Sequence, residues 1–370
     1  MKIPILSFYS GGGFMDMGFE KAGFEIVWTN EVDEVFIKLH EAGITSWRKA
    51  RGNGMRAEIF NKQSIIKVDS KKIIEEAFPT GKPKDFGIIG GPPCQDFSMN
   101  GKLEGFQGER GKLTVVFFNR ILDLLPTFFV MENVTGLIKN SSTKIFLDEF
   151  LENVKVKYYI NQRILNALEF GVPQFRERVF FVGFRKDKID EDIVIKSFGE
   201  WFPFPVNRQY RGAFTKYKWP QSVSFGMKLV KPIDLPLELC IESCLVSQKD
   251  MKKTPNAKEY FKLYIAKNKL NSIAEGETNR PSFKRLHRYK YSPTACYGNN
   301  EVHLHPYEHR RLSVRETLRI QGVEDSYVLP PDLPLTKKFK MIGNGVPVPL
   351  AEAVADAVKD FIEVNKVIST

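Results

Sequence analysis

Short apolar runs and longer amphipathic stretches alternate through the first half of the chain. Residues 4–10, 25–30, 86–90, 127–131, 157–162 and 179–184 have the length and apolar character of strands. Between them, residues 15–22, 35–40, 71–78, 113–125 and 144–154 carry apolar positions at helical spacing. That rhythm predicts an α/β fold, a doubly wound and mostly parallel sheet with helices on both faces. Ligands of such a sheet bind beyond the carboxyl ends of its strands.

The rhythm breaks at about Lys186. Residues 186–310 are rich in Lys, Tyr, Phe, Asn and Pro with little periodicity, which predicts a second, smaller, irregular β-containing unit. A helical stripe returns after Pro349, in Leu350-Ala351-Glu352-Ala353-Val354-Ala355-Asp356-Ala357-Val358, and would pack back on the first unit. The expected division is a first domain of 1–188 completed by 335–370, with 189–334 as a separate domain between them.

A chain of 370 residues has ample core to stand without staples. Its four cysteines, Cys94, Cys240, Cys244 and Cys296, are too few and too irregularly spaced for a disulfide framework, so a reducing compartment is expected. The start, Met-Lys-Ile-Pro, runs directly into a strand pattern without a signal-peptide profile. No apolar run approaches the ~20 residues of a membrane span. The expectation is a soluble intracellular protein, away from membranes. His303, His305 and His309 lack a partnering Cys or acidic pattern, so no metal is expected. Cys240 and Cys244 read as packing residues.

Charge narrows the partner. The formal net charge is +11 and the sequence pI about 9.3, which favours a polyanion, most simply nucleic acid. Between Lys186 and Arg310 there are 22 Lys and Arg against 14 Asp and Glu. In Asn207-Arg208-Gln209-Tyr210-Arg211, Lys216-Tyr217-Lys218-Trp219 and residues 284–291, cations alternate with aromatics. Such strings suit phosphate contacts and base-edge readout.

Candidate chemistry gathers at predicted strand ends. Asp85-Phe86-Gly87-Ile88-Ile89 empties into Gly90-Gly91-Pro92-Pro93-Cys94-Gln95. The two prolines stiffen the turn and cannot continue a sheet, so Cys94 is displayed where an α/β enzyme places a nucleophile. The first strand ends in Tyr9-Ser10-Gly11-Gly12-Gly13, whose glycines allow a ligand close to the backbone before a helix. Asp16 stands where a dinucleotide fingerprint would need its third glycine. Glu31, about 20 residues past the glycines, suits ribose hydroxyls. The pair points to an adenosine-containing cofactor that need not be a nicotinamide. Glu132, in Phe129-Val130-Met131-Glu132-Asn133-Val134, closes another apolar strand. Arg176 and Arg178, in Gln174-Phe175-Arg176-Glu177-Arg178, share parity on an extended chain and can face one site. Taken singly, these features also read as a tight turn, a surface acid and an exposed strand.

As an ordered set they resemble the DNA (cytosine-5)-methyltransferases, of the prokaryotic restriction-modification type. The resemblance rests on Tyr9–Gly13, Pro92-Pro93-Cys94-Gln95, Glu132-Asn133-Val134 and Gln174-x-Arg176-x-Arg178. It continues in Arg311-Leu312-Ser313-Val314-Arg315-Glu316, Gln321-Gly322 and Gly343-Asn344-Gly345-Val346-Pro347, and is broken only in the basic segment.

The resemblance implies methyl transfer from S-adenosyl-L-methionine to C5 of a cytosine flipped out of duplex DNA, through a covalent bond between Cys94 and C6. It implies that Glu132 supplies a proton at N3 and that Arg178, with Arg176, holds the base. Tyr9, Gly11, Gly13, Glu31, Val32, Asp69, Pro92, Asn344 and Val346 map to the cofactor pocket. Departures from the family pattern are Ser7 for Asp, Tyr9 for Phe, Val32 for a larger residue that stacks on adenine, and Gly345 for Ser. Residues 95–113 would close over the flipped base, with Gln95, Ser98, Asn100 and Arg110 at the DNA and Gln174 beside them. Arg208, Arg211, Lys216 and Lys218 would meet phosphates in a target-recognition domain. The implied setting is a monomer in the cytoplasm, at the nucleoid, paired in function with a restriction endonuclease. Two alternatives are a transfer-RNA cytosine-5 methyltransferase, set against by the long basic segment, and a catalytically silent DNA-binding relative, set against by the intact Cys94, Glu132 and Arg178.

Overall fold

A computed structural model describes residues 2–52, 59–93, 111–264, 266–295, 297 and 301–368. Seven strands form one sheet: β1 (Pro4–Phe8), β2 (Glu25–Asn30), β3 (Ile59–Asn61), β4 (Gly87–Gly90), β5 (Phe128–Asn133), β6 (Tyr158–Asn166) and β7 (Glu177–Arg185). Their order is β3-β2-β1-β4-β5-β7-β6. The first five in this order pair in parallel. β7 runs antiparallel to both β5 and β6, so its first residues, rather than its last, lie at the carboxyl rim.

Among the described residues, twelve α-helices accompany the sheet. α1 (Phe14–Lys21), α2 (Glu34–Ala50), α3 (Ser70–Ala77), α4 (Gly111–Leu124), α5 (Gly136–Lys139) and α6 (Ser141–Lys155) alternate with the strands. α7 (Glu191–Lys196), α8 (Ala213–Lys216) and α9 (Lys267–Asn271) are short and belong to the middle of the chain. α10 (Val314–Ile320), α11 (Leu335–Asn344) and α12 (Val348–Val364) end it. The doubly wound, mostly parallel architecture expected from the alternation is present. The closing helix α12 buries Leu350, Ala351, Val354, Val358 and Phe361 in one core with Phe19, Phe128 and Phe184.

Three differences from the sequence reading have physical causes. β1 stops at Phe8 because Tyr9 turns to φ 55°, outside the extended region. α2 runs well past the expected 35–40, through Gly43. A Cβ there would lie 2.1 Å from Cζ of Tyr327, so the glycine serves a close approach and does not end the helix. α10 falls in a stretch that the sequence marks by motif, with no helix expected. It is fixed by a capping box in which Ser313 and Glu316 bond each other's backbone.

Within 189–310 the described residues show β structure only as isolated bridges, such as Val223 with Glu275 and Arg285 with Leu304. Leu312, Val314, Leu318, Tyr327 and Phe339 share a core with Phe14, Met17, Phe36 and Leu39. The chain beyond 310 is therefore packed on the first helices. Among the described residues no helix is long and apolar enough to cross a membrane.

Candidate active site

Two clusters occupy the carboxyl rim. The first lies after β1 and β2. Tyr9, Gly11 (φ 55°) and Gly13 (φ 73°) all adopt left-handed backbone, which bends the loop sharply into α1. At Gly13 the space is closed as well, since a Cβ would come 2.7 Å from His40 Cε1. Glu31 accepts three backbone N–H groups: Gly11 at 3.1 Å, Val32 at 2.7 Å and Asp33 at 2.9 Å. Burial raises its pKa above the ordinary carboxylate value, against the pull of those three donors. The Ser10 hydroxyl is buried with no partner among the described residues. Tyr9 donates its hydroxyl to Leu113 O at 3.0 Å.

The other residues expected around a cofactor lie on several elements. Val32 is exposed next to Glu31. Asp69 is an exposed N-cap of α3, accepting from Lys71 N at 3.0 Å. Asn344 is exposed at the end of α11 and Val346 is buried just beyond. Gly345, a departure from the pattern that the sequence resembles, has its reason here. A Cβ would stand 2.3 Å from Cδ2 of Phe14, the first residue of α1. Ser7, in the place of an Asp, donates to the buried Asp16 at 2.5 Å, so a carboxylate is still present at this depth.

The second cluster lies where β4, β5 and β7 meet. Glu132 is opposite Phe180 in the antiparallel ladder, and Arg178, two residues earlier on β7, lies diagonally on the same face. Arg178 Nε is 2.9 Å from Glu132 Oε1, with side-chain exposures of 13% and 10%. Burial raises the Glu132 pKa, while Arg178 and then Arg176 oppose the rise. The turn after β4 abuts this carboxyl: a Cβ on Gly91 would lie 3.1 Å from Glu132 Oε2. Asn133 holds the same turn, donating to O of the buried Pro92 at 3.4 Å. Cys94, Gln95, Ser98, Asn100 and Arg110 lie outside the described residues.

Not every expected residue faces this rim. Arg176 is wholly buried and donates to Gly343 O at 2.9 Å and Ala295 O at 3.4 Å. It ties the lead-in of β7 to α11 and reaches Glu132 through charge. Gln174, expected at DNA, is also wholly buried. Its amide donates to Gln321 Oε1 at 3.1 Å and accepts from Ala295 N at 2.9 Å. Both ends of the side chain are committed inside the protein.

The basic strings differ from one another. Arg208, Arg211, Lys216 and Lys218 are all exposed. Their aromatic neighbours turn inward: Tyr210 packs with Leu168, Ala213 and Leu239, flanked by Tyr217, Trp219 and Phe175. In residues 284–291, by contrast, Arg285 is buried and Arg288 is only partly exposed. Arg285 donates to the carbonyls of Ile273 (3.0 Å), Leu270 (2.9 Å) and His305 (2.7 Å), and Arg288 pairs with Glu275. Those arginines shape the fold. Cys240 and Cys244 are buried thiols pushed up to about 12 by burial. Burial holds His303 down to about 3 and His305 to about 4, so both rings are neutral near pH 7.

The sequence reading did not single out His40 or Tyr327, which contact the glycine loop. The signal available for Tyr327 was Gly43 inside a helical pattern, a mark of close approach.

The model of the family "C-5 cytosine-specific DNA methylase" matches residues 3–360. The type II methyltransferase M.NmeDI of Neisseria meningitidis serogroup C is 36% identical over 369 residues, covering 98% of this chain and 84% of that protein. M.FnuDI of Fusobacterium nucleatum, also a type II methyltransferase, is 32% identical over 369 residues, covering 97% and 95%. Among solved structures, the S. pombe Dnmt2 methyltransferase superposes with a TM-score of 0.60 at 15% identity, covering 98% of this chain and 99% of that one. At that identity the likeness speaks for the fold.

Proposed function

The chain belongs to the C-5 cytosine-specific DNA methylase family, and from that premise we propose that it methylates C5 of a cytosine flipped from a short duplex sequence, using Cys94 as nucleophile and S-adenosyl-L-methionine as donor. The observation that carries this reading is the buried Glu132–Arg178 pair against the turn that leads to Cys94. Cytosine C5 is a weak nucleophile. Addition of the Cys94 thiolate at C6 converts the ring to an enamine and drives negative charge toward N3. The Glu132 carboxyl, whose pKa burial raises, shares or donates a proton at N3, and the Arg178 guanidinium stabilises the base oxygen. Once C5 carries the transferred methyl group, loss of the C5 proton to a base and elimination of the thiolate, with return of the N3 proton to Glu132, release the product and restore Cys94.

The donor's site is supported by the first cluster. Glu31 would take the ribose hydroxyls, the unpartnered Ser10 hydroxyl offers a further polar contact, and Tyr9, Gly11 and Gly13 form the floor. Val32, Asp69, Pro92, Asn344 and Val346 would complete the walls. S-adenosyl-L-methionine, when bound, supplies a methyl group on an electrophilic sulfonium. The division into a catalytic domain, 1–188 with 335–370, and a recognition domain, 189–334, is part of the same reading. Exposed Arg208, Arg211, Lys216 and Lys218 would track phosphates, joined by Gln95, Ser98, Asn100 and Arg110. The protein would act as a monomer on chromosomal DNA in the cytoplasm, alongside an endonuclease of matched specificity.

The test starts by sequencing methylated cytosines in DNA from cells expressing the protein, which gives the target site. A duplex carrying 5-fluorocytosine at that site blocks the final elimination. Wild type with the donor should form an adduct stable to denaturation, and Cys94→Ser should form none. Methylation by wild type without a trapped adduct would refute the covalent mechanism.

A further inference from the structure

We propose that Tyr327, together with His40, holds the glycine loop in the shape that receives S-adenosyl-L-methionine, acting as a positioning residue from the far end of 189–334. The proposal rests on the cofactor reading given above.

Two consecutive carbonyls of the loop are gripped from below. The Tyr327 hydroxyl donates to Gly12 O at 2.7 Å, and His40 Nδ1 lies 3.2 Å from Gly11 O. A carbonyl only accepts, so His40 carries its proton on Nδ1 in this contact. In a trans peptide the C=O and N–H point to opposite sides. Anchoring Gly11 O against His40 therefore turns the Gly12 N–H away from it. In a loop of left-handed glycines, which have many accessible conformations, such anchors decide which one persists.

Tyr327 is built into place from several directions. Its ring is fully buried and meets Phe14 edge-on, with centroids 5.6 Å apart. It fills the space that Gly43 leaves on α2. Its backbone is held by the wholly buried Arg315, which donates to Tyr327 O at 2.7 Å, Glu324 O at 3.1 Å and Pro255 O at 3.0 Å. Val328 N donates to Ser46 Oγ at 2.9 Å. A phenylalanine would satisfy the same packing. What the hydroxyl adds is the bond to the glycine loop.

The test is Tyr327→Phe in the full chain, with His40→Gln as a second variant acting on the neighbouring carbonyl. Direct binding of S-adenosyl-L-methionine is measured by calorimetry, and KM and kcat by methyl transfer. Loss of one buried hydrogen bond predicts a rise of about 5-fold in the Kd and KM for the donor. The KM for DNA and kcat should stay within about 2-fold of wild type. An unchanged donor Kd in both folded variants overturns the proposal. So does a loss confined to kcat with a lower melting temperature, because that is a purely structural role. Glu31→Gln in the same assay separates the two levels. If Glu31→Gln weakens donor binding and Tyr327→Phe does not, the cofactor reading stands and the positioning role falls. If wild type does not bind the donor, both fall.

Discussion

Replacing Arg178 with Met keeps its aliphatic bulk and leaves the Glu132 carboxyl buried, with Arg176 as the other cation acting on it. Both members of the pair are shielded from solvent, so water cannot take over from the lost guanidinium. Breaking a buried ion pair from one side costs about 3–5 kcal/mol. The nearby Arg176 favours the lower end, about 3 kcal/mol. An unfolding entropy of about 2.1 cal/mol/K per residue over 370 residues gives about 0.8 kcal/mol/K, so Tm should fall by about 4 °C. Adding Glu132→Gln removes the buried charge, and the double variant should regain most of that loss. The pH dependence has a definite sign. Glu132 has a folded pKa above its unfolded value. Its contribution to stability is full below the unfolded pKa and is lost as pH rises through the folded one. Without Arg178 the folded pKa climbs further, so the deficit of Arg178→Met should be greatest at neutral and alkaline pH and shrink in acid. Thermal melts of wild type, both single variants and the double variant, from about pH 5 to 8, read this directly. A deficit independent of pH, or a double variant no more stable than Arg178→Met, would refute the reasoning.

Neutralising Arg208, Arg211, Lys216 and Lys218 together should weaken binding to all duplexes and flatten its salt dependence. Each true phosphate contact removes about 0.9 from the slope of log K against log salt, and an unchanged slope in a filter-binding titration would return these residues to plain surface. Gly345→Ser should destabilise the fold by the cost of overpacking, about 1–3 kcal/mol, a fall of about 1–4 °C in Tm, because its Cβ meets the Phe14 ring. A variant melting with wild type would show that Phe14 has room to move.

How much was legible in the sequence depended on the kind of signal. The strands β1, β2, β4 and β5 announced themselves because a central parallel strand must be apolar on both faces, as in Phe128-Phe129-Val130-Met131. Edge strand β3 has only three residues and too little pattern to be seen. Glu132 and Arg178 were legible as motif residues, and the ladder register explains why they meet. The inward turn of Gln174, Arg176, Arg285 and Arg288 was not legible. Polar side chains that satisfy distant carbonyls leave no periodic trace, and their partners lie across the chain, as Arg176 with Gly343 does. Tyr327 was hidden for the same reason, since its partner Gly12 is 315 residues away.

The reversed direction of β7 has a consequence for the chain that follows it. A parallel strand at that position would have released the following chain onto the reacting rim. Because β7 enters at that rim with Arg178 and leaves at Arg185 on the opposite edge, everything after it departs from the side remote from the chemistry. The outgoing chain is first pinned there, with Trp201, Phe202 and Phe204 packed on Phe184 and Phe361. It returns to the rim only at Tyr210 and Ala213, against Leu168. The stretch between the pin and Ala295 is therefore reached without disturbing the register of Glu132 and Arg178, while Ala295, Tyr327 and Gly343 tie the later chain back to the sheet and its loops. A sheet wired in this way separates the segment that follows β7 from the register that holds Glu132 and Arg178.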